Sequence, residues 1–357
     1  MHNQEQNPFN PSFGDPPKIM LTALETPKKT VQERIVNSMF DRAIFITGIR
    51  GTGKTTYLTE CERIINQNPG YQVIPVANND EIITNIATKL NEITPSHNKI
   101  KIPRLKTKYF DFEFTDYVAK LTQPSKLNII EKLIRELNQS NITPVISIDE
   151  ISTNKEIISL IQTFNELKRH GSRIFLLMAG LPNLIDDLQT QKNLTFLKRA
   201  DKIMLHEYTN QNIANKYQHI FNCDRFTANQ LAKYVQGYAF AFQLLGYRLW
   251  QNNDHHTPLL EIVKEQLPDY KEDLYNESYS EIINELTPVE TKYVEGIIKF
   301  NGDFGQIQKF LNKSKGYVSK YRQRLLKEHI IKSTGYGKVE FTLPLFKETI
   351  SPYFITE

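Results

Sequence analysis

The feature that most constrains this chain is a glycine-rich turn between a short apolar run and an amphipathic segment. The turn has the spacing G-x-x-x-x-G-K-T and consists of Gly48, Ile49, Arg50, Gly51, Thr52, Gly53, Lys54, Thr55 and Thr56. The run before it, residues 43–47, predicts a buried strand, and apolar residues at i, i+3 and i+7 after it predict a helix. Glycines let a turn present backbone N–H groups to an anion, and a helix N-terminus attracts the same charge. The sequence therefore predicts a phosphate-binding loop at residues 48–56.

Two side chains of this loop and an acidic pair further on complete a predicted reaction centre. Lys54 supplies a positive charge for the β- and γ-phosphates, and Thr55 offers a hydroxyl to Mg²⁺. A second apolar run, residues 144–148, ends in Asp149 and Glu150. In P-loop ATPases the first acid of such a pair holds Mg²⁺ and the second polarises the attacking water. We therefore predict Asp149 and Thr55 as metal ligands, and Glu150 and Lys54 as catalytic residues. A solvated acidic turn is the weaker alternative after a phosphate loop.

Two further positions near this centre allow more than one interpretation. A buried strand predicted at residues 173–178 is followed by Ala179 and Gly180, where related enzymes place a polar residue that holds the attacking water. Either no group holds the attacking water at this position, or a backbone group holds it. The pair Lys198 and Arg199 precedes the last predicted strand. Arg199 is either an arginine finger that completes a neighbouring copy's ATP site or part of a solvated basic helix end.

Length and composition limit the class of protein. A chain of 357 residues predicts two or three domains, and 39% hydrophobic with 24% charged residues is typical of soluble globular proteins. No apolar run reaches the length of a membrane span, and residues 1–17 are too polar for a signal peptide. Two cysteines do not make a disulfide framework, and no cysteine–histidine cluster has metal-ligand spacing. We therefore expect a cytoplasmic protein that does not contact membranes.

Three segments outside the predicted centre have distinct patterns. Residues 1–30 predict an extended arm because prolines cluster there, with Phe9 and Phe13 expected to pack against the core. A helix is predicted over residues 30–39. Pro75 places the strand predicted at residues 71–76 at a sheet edge, since proline does not donate to a ladder. Residues 99–114 predict a small hairpin or an ordered insertion.

The charge of the chain is concentrated near its C-terminus. The net charge is +4, but residues 309–338 contain nine lysines and arginines and one acid, so this segment carries +8 and the remainder −4. Three helices are predicted at residues 289–300, 304–311 and 317–328, and two short apolar runs around a glycine-containing loop then predict a hairpin. This order is that of a winged helix-turn-helix.

The third of these helices has two different faces. Val318, Tyr321 and Leu325 are predicted to point inward, whereas the opposite face carries cations and an amide. Such a face suits phosphates and base edges. The predicted DNA contacts are Lys315, Tyr317, Lys320, Gln323, Arg324, Lys327 and Lys338. Winged helices also dock proteins, but the local charge favours double-stranded DNA.

Taken in this order, the motifs resemble AAA+/STAND-type P-loop ATPases with a C-terminal winged helix, related to the origin-recognition ATPases. The matching segments are residues 7–14, 48–55, 148–150, 179–182, 196–200, 237–243 and 341–344. The resemblance implies an α/β fold: a P-loop NTPase αβα core with a five-stranded parallel sheet, the phosphate-loop strand central, and a helical lid. It also implies ATP as the nucleotide. The predicted domains are an arm (1–30), an ATPase core (31–207), a lid (208–286) and a winged helix (287–357).

The chain departs from this family at three places. A Gly-Arg pair that contacts the adenine side is missing near residues 21–23, a proline is replaced by Ala239, and a lid arginine is missing near Phe240. With Ala179, the last departure predicts slow hydrolysis and hence an ATP-dependent switch that binds DNA. The alternative is a STAND-type signalling or defence regulator that oligomerises with ATP and docks a protein on its winged helix. A third possibility is a nucleotide-binding scaffold without turnover.

Overall fold

The computed structural model describes residues 7–12, 29, 43–95 and 114–354. These residues belong to two compact units, one of Leu24–Gly48 with Lys54–Leu205, the other of Met1–Ala23, Ile49–Gly53 and His206–Glu357. The predicted helix at residues 30–39, Phe13, residues 21–23 and nearly all of residues 99–114 lie outside the described residues. Phe114 itself begins a helix rather than ending a hairpin. The division into four domains stays a prediction.

The first unit is built on a parallel sheet of five strands in the order β2-β3-β4-β1-β5. Its elements in chain order are β1 (Ile44–Thr47), α1 (Lys54–Asn66), β2 (Tyr71–Val76), α2 (Ile82–Ile93), α3 (Phe114–Ala119), α4 (Gln123–Gln139), β3 (Thr143–Ile148), α5 (Lys155–Arg169), β4 (Phe175–Gly180), α6 (Pro182–Thr190), a 3₁₀ segment (Lys192–Arg199) and β5 (Asp201–Met204).

The strands of this sheet are short apolar runs because both of its faces are covered. All six residues of β3 and all six of β4 are buried, as expected of a parallel sheet with helices on both sides. The strand β2 lies at the edge with Pro75 exposed, which confirms the prediction made from this proline. The phosphate-loop strand β1 lies inside the sheet, but the middle strand is β4, so the expected central position was wrong by one place.

The second unit is helical apart from one hairpin, which lies before its last helix. Its elements are α7 (Asn210–Phe221), α8 (Arg225–Val235), α9 (Ala239–Asn252), α10 (Leu259–Leu274), a π-helical turn (Tyr275–Tyr279), α11 (Ser280–Asn284), α12 (Pro288–Phe300), α13 (Phe304–Leu311), α14 (Lys315–Lys327), β6 (Ile331–Gly335), β7 (Lys338–Phe341) and α15 (Phe346–Phe354).

The C-terminal helices begin and end where the local sequence provides caps. Thr287 and Glu290 form a capping box at the start of α12, with Pro288 at the first helical position. Asp303 and Ser314 accept backbone hydrogen bonds at the starts of α13 and α14. The strands β6 and β7 pair antiparallel. The predicted order of three helices and a hairpin is therefore present.

The N-terminal arm is attached through one aromatic side chain. Phe9 is 2% exposed, and its ring lies 5.7 Å from Phe221, 5.5 Å from Phe242 and 6.0 Å from Tyr217. The expectation that Phe9 packs against the core is confirmed. None of the helices in the described part of the chain combines the length and apolar character that crossing a membrane requires.

Candidate nucleotide and DNA sites

The glycine-rich turn connects β1 to α1, as the sequence predicts. Gly51 and Gly53 have φ values of +72° and +83°, a region that glycine adopts without the steric cost other residues incur. The Thr52 hydroxyl donates to the carbonyl of Ile49 over 2.8 Å, which closes the turn from within. The helix α1 begins directly after the turn, at Lys54. The loop thus delivers the chain into a helix N-terminus, where backbone N–H groups and the helix dipole favour an anion.

Features at both ends of the loop fit a phosphate group. A Cβ atom added to Gly53 would meet no other atom within 4 Å, so the loop backbone is open at this point. The hydroxyl of Thr47, the last residue of β1, is buried and has no hydrogen-bond partner. Buried polar groups are normally satisfied, so an orphaned hydroxyl directly before the loop is consistent with a ligand. The residues present therefore fit a nucleotide's phosphate chain.

The acidic pair follows β3 at the carboxyl ends of the strands, the same end of the sheet at which the loop follows β1. Phe45 of β1 and Ile148 of β3 both lie opposite Met178 of β4, so the two strands that flank β4 end within two residues of the same level. Because all three strands are parallel, the loop and the acids both follow carboxyl ends, where ligands of such sheets bind. The structure therefore confirms that the two predicted motifs are brought to one sheet edge.

The backbone of the acidic pair is held in an unusual conformation. Glu150 has φ +50°, a left-handed conformation that costs on the order of 1–3 kcal/mol for a residue with a Cβ atom. The Asp149 carboxylate accepts the Glu150 N–H over 2.9 Å, and the Asn78 side-chain amide donates to the Glu150 carbonyl over 2.7 Å. Asp149 is half-buried and Glu150 is exposed. Both carboxylates are thus presented at the surface by a fixed turn.

Asn78 is a residue of this turn that sequence reasoning missed. Besides donating to Glu150, it receives Ser152 and Asn154, whose side chains approach its Oδ1 atom at 3.4 Å and 3.3 Å. Asn78 follows β2, which neighbours β3 in the sheet. The signal that was present is the polar run 78–80, which begins two positions after a predicted strand.

Glu62, on α1, is a second residue that sequence reasoning missed. Its carboxylate accepts a hydrogen bond from the hydroxyl of Ser147 on β3. Burial raises the pKa of Glu62, the Ser147 hydrogen bond opposes this, and the negative charge of Asp149 adds to it. A third carboxyl group therefore lies close to the acidic pair, where a helical pattern alone gave no sign of it.

The strand end at Ala179 carries no polar side chain. The Ala179 carbonyl accepts the N–H of Ile151 over 2.9 Å, and a Cβ atom at Gly180 would come within 3.0 Å of the Ile151 side chain. Backbone hydrogen bonding therefore occupies this position. The two basic residues Lys198 and Arg199 end the 3₁₀ segment and are both exposed.

The helix α14 has the two faces that the sequence predicts. Val318 and Leu325 are fully buried, while Tyr321 is half-buried. The predicted DNA-contacting residues are all exposed: Lys315, Tyr317, Lys320, Gln323, Arg324, Lys327 and Lys338. Six of these seven lie on α14 itself, and Lys338 begins β7. The structure thus presents most of the predicted set on one helix.

Arg324 differs from the other cations because two carboxylates already hold it. Its Nε atom lies 3.1 Å from Glu290 and 3.0 Å from Glu328. Glu290 is fully buried, and its other oxygen belongs to the capping box of α12. A buried carboxylate needs a compensating charge. Arg324 is therefore part of the packing of this module as well as a candidate for DNA contact.

The hairpin tip carries an aromatic residue that the sequence reasoning did not select. Tyr336 lies between Gly335 and Gly337, outside both strands, and is the most exposed of the large hydrophobic residues in the described part of the chain. Lys332, on β6, is paired with Glu340 at 3.0 Å. An aromatic residue between two glycines in a turn was the available signal.

The strand order, the loop and the acidic pair together define a P-loop NTPase fold. Groups of three or more metal-ligating acids, histidines or cysteines are not found among the described residues. A hydroxyl and a carboxylate at a phosphate loop instead suit Mg²⁺, which keeps waters and phosphate oxygens as ligands. Thr55 and Asp149 are therefore the residues of this edge that fit such an ion.

Comparison with solved structures gives the same fold. The ORC2 protein of Aeropyrum pernix, solved as ADPNP–ADP complexes, matches with a TM-score of 0.63 at 12% identity and covers 96% of both chains. CDC6P of Pyrobaculum aerophilum matches with a TM-score of 0.52 at 14% identity over 97% of this chain and 98% of its own. These likenesses show that the chain has the fold of the AAA+ P-loop ATPases related to origin recognition.

Comparisons at the level of sequence match a smaller part of the chain than the comparison of structures does. A family model described as a domain of unknown function, DUF8462, matches residues 276–350, the region from the π-helical turn to the last helix. No curated protein matches the chain by sequence.

Proposed function

We propose that this protein binds ATP with Mg²⁺ at its phosphate loop, hydrolyses it slowly, and couples the nucleotide state to binding of double-stranded DNA. The observation that carries the proposal is the position of the loop and of Asp149 and Glu150 at one edge of a parallel sheet. The fold shared with a protein solved as ADPNP–ADP complexes supports an adenine nucleotide. Initiation of DNA replication is the first process to test.

Each residue of the reaction centre has a distinct role in this proposal. The loop backbone and the start of α1 bind phosphate oxygens, and Lys54 adds a positive charge. Thr55 and Asp149 would hold a Mg²⁺ ion, which would neutralise charge on the phosphates. Glu150 orients the attacking water and accepts its proton.

Slow turnover follows from what this centre lacks. The Ala179 carbonyl is engaged by Ile151, and Phe240 stands where relatives carry a lid arginine. Removing one electrostatic group of this kind typically costs about 10²–10³ in rate. Arg199 is exposed at a segment end, where it is available to a neighbouring copy, so hydrolysis that requires assembly is compatible with this centre.

Charge supports DNA as the second partner. The segment 309–338 carries +8 within a chain of net charge +4, and α14 displays exposed cations together with Gln323. Phosphates are bound by such cations, and glutamine reads adenine edges in the major groove. A protein-docking surface has no need of this concentration of positive charge.

The nucleotide part is tested by titrating a fluorescent ATP analogue, with and without Mg²⁺, into the protein and three variants. We expect Lys54→Ala to weaken binding at least about tenfold, because it removes the positive charge that this side chain supplies to the outer phosphates. Glu150→Gln should bind normally but lose about 10²–10⁴ of the hydrolysis rate. Lys155→Ala is the matched control, since Lys155 is an exposed lysine at the first position of another helix, α5. Equal binding by the Lys54 and Lys155 variants would contradict the site.

The DNA part is tested by fluorescence anisotropy of a mixed-sequence duplex at several salt concentrations. Lys320→Glu with Lys327→Glu should weaken binding at least tenfold and lower the salt slope by about one unit per lysine. The control pair is Lys233→Glu with Lys264→Glu, which reverses two exposed charges on α8 and α10. Unchanged affinity and slope in the α14 variant, or an equal loss in the control, would overturn DNA binding by this helix.

A further inference from the structure

A short helical segment joins the phosphate loop to the C-terminal module through a continuous set of contacts. We call residues 275–285 the connector; it comprises the π-helical turn Tyr275–Tyr279, the helix α11 and Glu285. It lies between α10 and α12 in the chain. The phosphate-loop residues Ile49–Gly53 belong to the same compact unit as the connector. π-Helical turns are rare and frequently occur at functional sites.

On one side the connector holds a phosphate-loop arginine between two acids. The Arg50 guanidinium lies 3.4 Å from Glu281 and forms a second ion pair and hydrogen bond with Glu285. The two acids are four residues apart on one helical turn, so one guanidinium reaches both. Without the arginine, two like charges at this spacing repel each other. The local arrangement therefore depends on Arg50.

A tyrosine from α9's start makes a second link between the loop and the connector. The Tyr238 hydroxyl lies 2.7 Å from the hydroxyl of Ser278, and a Cβ atom at Gly51 would overlap the Tyr238 ring. Burial raises the pKa of Tyr238 to about 12, so this phenol stays protonated at neutral pH. The ring thus packs on the loop while its hydroxyl binds the connector.

On its other side the connector is fixed to the chain that follows the hairpin. Tyr279 is fully buried, donates its hydroxyl to the carbonyl of Pro344 over 2.6 Å, and meets the Phe346 ring edge-to-face at 4.9 Å. Tyr275 stacks on Tyr353 with ring centroids 3.9 Å apart. A shift of the connector would therefore change these contacts with the C-terminal module.

We propose that Arg50 and the connector transmit the occupancy of the phosphate loop to the DNA-binding module, an inference that rests on the proposed function. A guanidinium binds phosphate and carboxylate through the same fork of N–H donors. Phosphates bound at the loop compete with Glu281 and Glu285 for Arg50, and the released acids repel each other. The connector then changes its position against Pro344, Phe346 and Tyr353.

Coupling of this kind is reciprocal and can be measured as a ratio. If the nucleotide changes DNA affinity by some factor, DNA must change nucleotide affinity by the same factor. The test variant is Glu281→Gln with Glu285→Gln, which keeps side-chain shape and removes both charges. The control is Glu265→Gln with Glu272→Gln, which removes two exposed charges from α10, outside the connector and without touching Arg50.

The experiment measures DNA affinity by anisotropy for each full-length protein with ATP analogue, with ADP and with neither. We expect the parent and the control to show a nucleotide effect of at least about fivefold, within the usual range of allosteric coupling. The test variant should bind each ligand separately within about threefold of the parent while its nucleotide effect falls below about twofold. An undiminished effect in the test variant, or an equal loss in the control, would overturn the role of the connector.

Failure of the proposed function is distinguished by a second readout. If the parent protein binds nucleotide but no DNA, the DNA part of the function is wrong. Hydrogen exchange at residues 275–300 then tests whether the connector responds to nucleotide. Nucleotide-dependent exchange in the parent that disappears in the Glu281 and Glu285 variant would support the connector. Equal exchange in both proteins would overturn it.

Discussion

At the residue scale, Gly51 and Gly53 both have a positive φ but differ in their surroundings, so the cost of backbone strain can be measured separately from the cost of packing. A Cβ atom at Gly51 overlaps the Tyr238 ring, whereas one at Gly53 meets open space. We expect Gly53→Ala to cost only the left-handed strain, about 1–2 kcal/mol. Gly51→Ala should cost at least about 1 kcal/mol more, because overpacking adds about 1–3 kcal/mol. Thermal unfolding of both variants without nucleotide makes the comparison.

A third variant identifies the clash as the cause. In a Tyr238→Ala background the extra cost of Gly51→Ala should disappear, because the ring that it meets is gone. If Gly51→Ala and Gly53→Ala are equally stable in the parent protein, the packing of Tyr238 on the loop is contradicted.

Glu62 gives a prediction about pH. Burial raises the pKa of this carboxyl above its ordinary value, so the folded state favours the protonated form. The contribution of Glu62 to stability is therefore largest below the ordinary pKa and is lost as pH rises through the folded pKa. Glu62→Gln, which keeps an oxygen for the Ser147 hydroxyl, should raise the melting temperature at pH 8 and raise it less at pH 5. Glu131→Gln, which changes a carboxylate on α4, is the control, and equal gains for Glu62→Gln at both pH values would refute the assignment.

Much of the candidate nucleotide site is predictable one residue at a time. Gly51, Gly53, Lys54 and the acidic pair follow from local spacing, because each acts on phosphate through its own backbone or side chain. Asn78 does not, since its contact with Glu150 joins residues that are 72 positions apart in the chain.

At the scale of elements, α14 combines a proposed role in DNA binding with a structural role. Arg324 neutralises Glu290, which is fully buried at the start of α12. We expect Arg324→Ala to destabilise the protein by roughly 1–3 kcal/mol, because it leaves a buried carboxylate unpaired. Lys320→Ala, on the exposed face of the same helix, should change stability by less than about 0.5 kcal/mol.

Urea unfolding followed by circular dichroism measures the stability of each variant. A double variant, Arg324→Ala with Glu290→Gln, should recover part of the loss, since the uncompensated charge is removed as well. If Arg324→Ala is as stable as Lys320→Ala, the pairing with Glu290 does not contribute to stability. Arg324 would then remain only a predicted DNA contact.

The bounds of the C-terminal helices and of the hairpin were predicted closely, because residues next to each boundary in the sequence set it. Caps at Thr287, Asp303 and Ser314 start three helices, and glycines around Tyr336 mark the hairpin turn. The predicted residues 289–300 and 304–311 differ from α12 and α13 by at most one position, and 317–328 differs from α14 by up to two.

At the scale of the whole molecule, the two functional hypotheses differ in what drives assembly. Light scattering with no nucleotide, ADP or ATP, each with and without duplex DNA, separates them. We expect the mass to rise when DNA is added and the complex to dissociate at high salt, because phosphate contacts release counterions. ATP alone should leave the mass of the protein unchanged.

The opposite result has a specific meaning. Assembly with ATP alone that is lost in Arg199→Ala but retained in Lys198→Ala would favour an oligomerising regulator in which Arg199 completes a neighbour's site. The switch hypothesis would then be abandoned in favour of the signalling alternative.

The resemblance to a known family implied the parallel sheet, whereas residue patterns predicted the phosphate loop, the acidic pair and the C-terminal helices with their hairpin. These features depend on backbone conformation, periodicity and caps, which act over a few neighbouring residues. The folded protein was needed to show that Arg50 pairs with the connector, that Glu62 lies near Asp149, and that Arg324 neutralises Glu290. Each of these contacts joins charges far apart in the chain, and their energies depend on burial and geometry that the folded chain alone establishes.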